Sequence, residues 1–513
     1  MEHLQASPRE MLSVSDFVQS GHAEETNVAS QSMLPQPSEE RAQHWPGQFD
    51  AVSIQSLPPE LLREVFSSCI TLSYRPFRLA HVCRLWRQVA FASPELWVSL
   101  WVPYVPPSLG HRQADYVDVW RQWLSRCSGG WPLHLDFRVN RGGVFQPESC
   151  LSPYLVDVLR PHSAIITSLQ LILDLTFASS DILAMPAGSF SSLRSLCLWF
   201  SSAEAFPDES LVPRSGPSLT FTDAPGLRSL ELSSLLKLWP NPQNFLQLNW
   251  TLLTLLDIRR MSDDDDATVH LLLKCTNLER LEVFIDPAWP YDYPTNERIK
   301  RVTFPHLRDI YLQVDSELYG TDEPFFECFR CPNLRKLKVE YVFPRCDCGL
   351  LLNRGFQRLS LGSLTELELE GACGDSGQLL RALTYAPALQ LLHLDNSFVF
   401  TPVFYERLAE LTITLVPRLR SLQVSPRGEE DFDRLENGII AMLLSRWKVH
   451  GEGSDRLHNV CITSAHEEFR DHTPLIEDLR RIGVSVWLAP VHQPATTSES
   501  DSDDSDMDFD ESD

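Results

Sequence analysis

The stretch Leu364-Thr365-Glu366-Leu367-Glu368-Leu369-Glu370 has leucine at its first, fourth and sixth positions, and this spacing decides the fold because it recurs along most of the chain. The steps between successive copies are 25 to 34 residues. With Ile or Val in place of some leucines, the copies begin at Ile166, Leu193, Leu227, Leu253, Leu278, Leu307, Leu334, Leu364, Leu389 and Leu419. A repeat of this length indicates stacked units, each burying its apolar face against its neighbours.

Each copy predicts one short β-strand, because alternating apolar and polar residues give a strand with one buried face. The residues between copies can form a helix, as in the run from Ala267 to Cys275. We therefore predict an α/β fold: a small N-terminal helical region, then an irregular solenoid with a parallel sheet on its concave side and helices outside. Further strands are expected at 132–137, 457–462 and 484–488, and a helix at 475–482.

The array resembles the leucine-rich-repeat proteins. The Asn or Cys that those repeats usually carry three residues after the last leucine is not regular here, so we expect an irregular arc. The predicted organisation is a disordered segment at 1–50, a helical domain at 51–101, the repeat array at 102–492 and an acidic disordered segment at 493–513.

The charge balance excludes some partners. The chain has 513 residues and a net charge of −25, which argues against nonspecific binding to nucleic acid or to anionic membranes. Nine of the 69 Asp and Glu residues, but no Lys or Arg, lie in Ser498–Asp513. This composition is typical of a solvated segment or of a phosphorylation segment. We see no secretory signal and no membrane span, so we expect an intracellular protein, cytoplasmic or nuclear, whose twelve cysteines are mostly buried thiols.

The segment from about Ile54 to Trp101 has a different, helical period. In 57–66 (LPPELLREVF) the prolines suit a first helical turn, and Leu61, Leu62, Val65 and Phe66 follow at helical spacing. A second helix is predicted from about Pro76 to Ser93, with apolar residues interleaved with arginines. About 45 residues cannot bury such surface alone, so the helices need either a partner protein or the remainder of the chain.

This segment resembles an F-box in 57–66, 82–90 (VCRLWRQVA) and 94–97 (PELW). With the repeats, the chain is similar to a fungal-type F-box substrate receptor with leucine-rich repeats. The resemblance implies a Skp-type adaptor and a cullin as partners in a ubiquitin ligase, with the repeats binding a protein substrate and no catalytic residue in this chain. The residues that it implies dock or support the adaptor are Leu57, Pro58, Leu61, Leu62, Val65, Phe66, Val82, Cys83, Trp86 and Trp97.

The strand period also predicts which side chains point away from the core of the array. From Leu193 onward these positions carry nine acids and four bases, which suggests a docking surface for a basic segment of the substrate. An ordinary solvated sheet is the alternative. The residues expected to bind substrate are Trp199, Glu231, Asp257, Glu282, Phe284, Tyr311, Glu366, Glu368 and Glu370.

We find no phosphate-binding loop, dinucleotide fingerprint, nucleophile elbow or zinc-protease motif in the sequence, and we expect no cofactor and no metal. Cys328-x-x-Cys331 with Cys346-x-Cys348 has spacing that could suit zinc, but buried thiols are the favoured interpretation. The acidic run 263–266 fits a helix N-terminus better than a calcium site. The predicted function is that of a nonenzymatic adaptor; the alternatives are a repeat scaffold outside any ligase and, less favoured, an enzyme.

Overall fold

The computed structural model describes residues 57–69, 75–101, 113–127, 130–137, 154–174, 182–201, 218–234, 246–259, 265–285, 302–314, 329–342, 346–347, 352, 355–395, 398–399, 402–410, 415–424, 442–446, 457–464, 477, 480–481 and 484–490. The chain divides into two compact units, Met1–Leu57 and Pro58–Asp513. Leu57 alone is described in the first unit, so the fold below is that of the second. The disorder predicted for 1–50 and 493–513 lies outside the described residues.

The described residues of the second unit form one large sheet of fourteen parallel strands, and the order of the strands in the sheet follows the order of the chain. The strands are β1 (Ser99–Trp101), β2 (Leu133–Phe137), β3 (Ile166–Asp174), β4 (Ser195–Ser201), β5 (Ser229–Ser234), β6 (Leu255–Arg259), β7 (Arg280–Ile285), β8 (Asp309–Val314), β9 (Lys336–Tyr341), β10 (Glu366–Glu370), β11 (Leu391–Asp395), β12 (Ser421–Val424), β13 (Asn459–Ser464) and β14 (Ser485–Pro490). All ten predicted repeat strands are present, and so are the three that were expected to flank them.

The leucine spacing produces this sheet because the apolar residues of adjacent units lie directly opposite one another. Leu337 of β9 is paired with Ile310 on one side and Leu367 on the other, and all three are buried. Within β10, buried leucines alternate with half-buried glutamates. One face of the sheet is therefore an apolar core, and the opposite face, which we call the polar face, carries the remaining side chains.

The helices among the described residues include α1 (Pro59–Cys69), α2 (Arg75–Val82), α3 (Arg84–Phe91), α4 (Gln113–Arg126), α5 (Tyr154–Leu159), α6 (Asp265–Lys274), α7 (Phe356–Leu359), α8 (Ser376–Leu383) and α9 (Pro402–Ala409). Two small parallel sheets accompany them, one formed by Val302–Thr303 and Phe329–Arg330, the other by Cys346–Asp347, Ala372–Asp375 and Phe398–Val399. Of the helix predicted at 475–482, the described residues 477 and 480–481 are helical.

Gly371 allows the chain to turn from β10 into the strand Ala372–Asp375. Its φ is +67°, in the left-handed region that side chains other than glycine rarely adopt. A Cβ atom at this position would lie 2.4 Å from the backbone oxygen of Tyr341. Glycine is required here both by the backbone angle and by the close approach of the neighbouring unit.

Two elements of the N-terminal part were not predicted. Residues 99–101, which the sequence analysis placed in the helical domain, form the first strand of the large sheet and pair with β2. Helix α4 was missed because Gln113–Arg126 contains three aromatic residues and no copy of the leucine pattern. Both elements connect the N-terminal helices to the repeat array.

Candidate protein-binding site

Helix α1 has apolar side chains on two sides, only one of which is buried by this chain. Leu62 and Phe66 are fully buried. Leu61 and Val65, one turn apart, are 52% and 38% exposed. A helix packed only against its own chain normally turns polar residues outward. The exposed pair therefore leaves apolar surface that a second protein can cover.

The prediction of a single second helix from Pro76 to Ser93 is wrong, because the structure has two helices, α2 and α3, separated at Cys83. The backbone of Cys83 is extended, with φ −157° and ψ 175°, and its Sγ accepts a hydrogen bond from the backbone N–H of Trp86. Cys83 thus caps α3 and is half-buried. Immediately before the break, Val82 is 58% exposed, so the end of α2 also presents an apolar side chain.

Trp97 lies at the centre of an aromatic cluster and does not reach the surface. Its Nε1 donates a hydrogen bond of 2.8 Å to the Ala90 carbonyl, and its own carbonyl accepts one of 2.7 Å from Trp123 Nε1 of α4. Its ring centroid is 5.3 Å from that of Phe77 and 4.9 Å from that of Trp123. Trp97 therefore supports the helices from within.

The end of α4 completes this cluster. The Arg126 guanidinium lies 4.3 Å from the centroid of the Phe91 ring and 4.7 Å from that of Trp97, where burial lowers the pKa of Arg126. Cys127 Sγ donates to the Trp97 carbonyl at 2.9 Å, and burial raises the pKa of this thiol to about 12. Sequence reasoning missed all of these supports, because α4 lies beyond the stretch that resembles an F-box.

The ten residues expected to dock or support the adaptor therefore occupy different environments. Pro58, Leu61, Val65 and Val82 are exposed, whereas Leu57, Cys83 and Trp86 are half-buried. Leu62, Phe66 and Trp97 are buried. Trp86 packs on Phe66, with ring centroids 4.9 Å apart. The three buried residues could contact a partner only if the helices rearranged, whereas the exposed group is accessible as it stands.

On the polar face, two lysines of β9 form ion pairs with three glutamates of β10. Lys336 Nζ lies 2.7 Å from Glu368 and 3.3 Å from Glu366, and the hydrogen bond to Glu368 is the main cause of a raised pKa for Lys336. Lys338 Nζ lies 2.8 Å from Glu370 and 3.9 Å from Glu368. A basic segment that docks here would have to displace these lysines.

The other predicted substrate-binding residues are more dispersed over the polar face. Trp199 Nε1 donates to Glu231 at 3.1 Å, and Tyr311 donates to Glu340. Arg280 forms an ion pair with Glu282. Phe284 is half-buried.

Asp257, which was predicted to bind substrate, is covered by its neighbours on the sheet. Asp257 is only 5% exposed, lying between Glu231 and Glu282 on the adjacent strands. Side chains directly opposite one another on neighbouring strands are about 5 Å apart, which leaves a short side chain little access to solvent. Asp257 is therefore not available to a substrate in this structure.

Among the described residues, one group has the composition of a metal site: Glu368, Glu370 and His393, whose ligand atoms lie within 4.8 Å of one another. Both carboxylates are already paired with Lys338.

In the cysteine group considered for zinc, Cys331 is buried as predicted, and burial raises the pKa of its thiol to about 12. Cys328 and Cys348 lie outside the described residues. Helix α6 begins at Asp265, as expected for an acidic helix start.

Residues 54–102 match the model of the F-box-like family. The chain thus contains an F-box-like domain, as predicted, and this supports an F-box protein. Neither the leucine-rich-repeat likeness nor the fungal type is confirmed by this match. The chain has no match among curated proteins. Within the part of the chain that the structure describes, no helix combines the length and hydropathy needed to cross a bilayer.

Proposed function

We propose that this chain is the substrate-binding subunit of a Skp–cullin–F-box ubiquitin ligase and has no catalytic centre of its own. The observation that carries the proposal is the exposure of Leu61, Val65 and Val82 on helices whose opposite sides are buried, within the F-box-like region. The adaptor would cover these side chains and connect the chain to the cullin. The contribution to catalysis would be proximity between substrate and the charged ubiquitin-conjugating enzyme.

The energetic case follows from burial. Full burial of a Val or Leu side chain is favourable by about 1.5–3 kcal/mol, and these three are roughly half exposed, so each could contribute about 1 kcal/mol on binding. Their sum, about 3 kcal/mol, would increase the affinity by about two orders of magnitude. An apolar cluster of this kind fits the anchor of an interface with a polar rim.

The repeat array would hold the substrate, and we propose that it is a leucine-rich-repeat-type solenoid. Support comes from the fourteen parallel strands in chain order and from the leucine spacing of 25 to 34 residues. The polar face offers Trp199, Phe284 and Tyr311 between charged residues. Since Lys336 and Lys338 pair with several of its glutamates, we expect a basic substrate to engage this face only by exchanging those ion pairs.

One observation favours the alternative, a repeat scaffold outside any ligase. The helices are joined to the array through β1 and through the Trp97–Trp123 contact, so they also serve as the N-terminal cap that a repeat array requires. If the N-terminal helices served only as the cap of the array, they would not have to bind an adaptor.

Co-purification separates the two functions. We expect the tagged full chain, expressed with a Skp-type adaptor and a cullin, to retain both proteins. Leu61→Asp should reduce this retention, whereas Val403→Asp should not, because Val403 is a similarly exposed side chain (54%) that lies on α9 of the array. Retention of neither protein by the wild-type chain would favour the scaffold.

A further inference from the structure

The edge at which the strands of the large sheet begin, which we call the leading edge, is rich in arginine. The residue after the first leucine of each unit donates its backbone N–H to the equivalent residue of the preceding unit, as Arg335 does to Arg308 at 2.7 Å. The residues in this ladder are Thr167, Arg194, Arg228, Thr254, Glu279, Arg308, Arg335, Thr365, Gln390, Arg420 and His458. Five are arginines and one is acidic, in a chain whose net charge is −25.

A groove of about 630 Å³ lies along this edge, across five consecutive units. It is lined by Pro305, His306, Arg308, Asn333, Arg335, Gly362, Ser363, Thr365, Ala388 and Arg418, a set with three arginines and no acid. Two hydrogen bonds between units fix its floor. Asn333 Nδ2 donates to the Pro305 carbonyl at 2.7 Å, and Thr365 Oγ1 donates to the Arg335 carbonyl at 3.0 Å.

The three groove arginines differ from the lysines of the polar face because they have no partner among the described residues. Within the described part of the chain, the guanidinium groups of Arg308, Arg335 and Arg418 make no hydrogen bond and no ion pair. By contrast, Arg228, at the same ladder position in an earlier unit, donates to two carbonyls at 2.9 Å. Planar guanidinium groups without partners are ready to bind carboxylate or phosphate.

The chain itself contains a segment whose charge is opposite to that of the groove. Ser498–Asp513 contains nine acids and no Lys or Arg. The sheet ends with β14 at Pro490, and β14 is two strands from β12, which follows Arg418. With strands about 4.8 Å apart and a rise of about 3.3 Å per residue, Pro490 lies about 20 Å from the leading edge near Arg418.

The connecting residues are long enough to cover this distance. Seven residues separate Pro490 from Ser498, and an extended chain advances about 3.3–3.6 Å per residue, so Ser498 can reach the near end of the groove. The acidic residues that follow can then pass along it toward Arg308. A short tether also gives an effective concentration of the order of millimolar, so that even a weak contact is populated.

We propose that the acidic segment Ser498–Asp513 binds in the groove of Arg308, Arg335 and Arg418 of its own chain. Phosphate groups on Ser498, Ser500, Ser502 or Ser505 would strengthen the contact by adding charge that arginine binds well. The groove is then occupied in cis, and an acidic segment of another protein would have to compete for it. This inference does not depend on the F-box-like domain.

The test uses the full chain and a fluorescent peptide of residues 496–513, with binding measured by anisotropy. One variant has all nine acids of the segment replaced by Asn or Gln, which removes the cis competitor. We expect this variant to bind the peptide at least ~10-fold more tightly than the wild-type chain, because the tethered segment no longer occupies the groove. Raising the salt from about 50 to 200 mM should weaken the binding.

Groove variants show where the peptide binds. In the neutralised background, Arg308→Glu, Arg335→Glu and Arg418→Glu together should lower the affinity by ~10-fold or more, since three attractive charges become repulsive. Arg194→Glu is the matched control, because Arg194 is exposed and occupies the same ladder position outside the groove. Its affinity should stay within ~2-fold of the parent.

Two outcomes would overturn the inference. Equal peptide binding by the wild-type and neutralised chains would show that the segment does not occupy the groove in cis. Unchanged binding after the triple reversal, with a far-ultraviolet circular dichroism spectrum like that of the parent, would show that the groove is not the site. Adaptor co-purification is expected to be unaffected by these variants, so failure here is distinguishable from failure of the proposed function.

Discussion

Replacing Trp97 with alanine should destabilise the whole second unit, because this residue joins the N-terminal helices to the array. The side chain is fully buried, and its Nε1 donates to the Ala90 carbonyl at 2.8 Å. Truncating a buried Trp to Ala costs about 3–5 kcal/mol in lost transfer energy and cavity formation. Two aromatic contacts, with Phe77 and Trp123, would be lost as well, each about 0.5–1.5 kcal/mol.

A loss of about 4–8 kcal/mol is large against the total stability of about 5–15 kcal/mol that is typical of folded proteins. Urea denaturation followed by circular dichroism at 222 nm would measure it. Trp131→Ala is the matched control, since Trp131 is 44% exposed, and its effect should be below about 1 kcal/mol. If the two alanine variants unfolded at the same urea concentration, Trp97 would not be the residue that joins the helices to the array.

Gly371→Ala should lower the free energy of unfolding by at least about 1–2 kcal/mol, because alanine at φ +67° is strained and its Cβ would meet a backbone oxygen. Gly362→Ala is the control in the same denaturation assay. It should change the free energy of unfolding little, because a Cβ at position 362 meets nothing within 4 Å. Burial raises the pKa of the thiols of Cys275 and Cys331 to about 12 from an ordinary 9.0. After the native protein is treated with iodoacetamide at pH 8.5, peptide mapping should therefore find both thiols unmodified and the exposed Cys69 alkylated. Because these two thiols ionise earlier in the unfolded chain, their contribution to stability should be lost progressively as the pH rises from 9 to 12; constant stability over that range, or alkylation of native Cys331, would contradict their burial.

The strands could be predicted from the sequence because their signal is local and repeated. A unit such as Leu364-x-x-Leu367-x-Leu369 specifies both its strand and the face that it buries, and the neighbouring units repeat the information. By contrast, α4 and β1 are single elements without a repeat. Their positions depend on the contacts of Trp97, Trp123 and Phe77, which join residues far apart in the sequence.

The candidate site was predictable in kind but not in detail. The stretch 57–97 identified an F-box-like region, yet spacing alone could not separate exposed Leu61 from buried Leu62. On the polar face, the alternation predicted which side chains leave the core. It could not show that Lys338 would hold two glutamates or that Asp257 would be covered by its neighbours, since both results depend on the pairing of separate strands.

The leading-edge groove was not predicted at all. Its three arginines each lie next to the first leucine of a unit and look like ordinary exposed charges in the sequence. Only the alignment of Arg308, Arg335 and Arg418 by the parallel register brings them together across separate units. The structure therefore adds a basic surface to a chain whose composition suggested an acidic protein with basic partners.

The affinity of the full chain for a purified Skp-type adaptor, measured by isothermal titration calorimetry, tests the central claim most directly. Leu61→Asp with Val65→Asp should weaken binding by about 30- to 100-fold, which corresponds to about 2–3 kcal/mol from two lost apolar contacts and the burial of charge. Val403→Asp, on α9 of the array, should leave the affinity within about twofold of the wild type. Equal affinity of the double variant and the wild type, or no binding by the wild-type chain, would contradict the account.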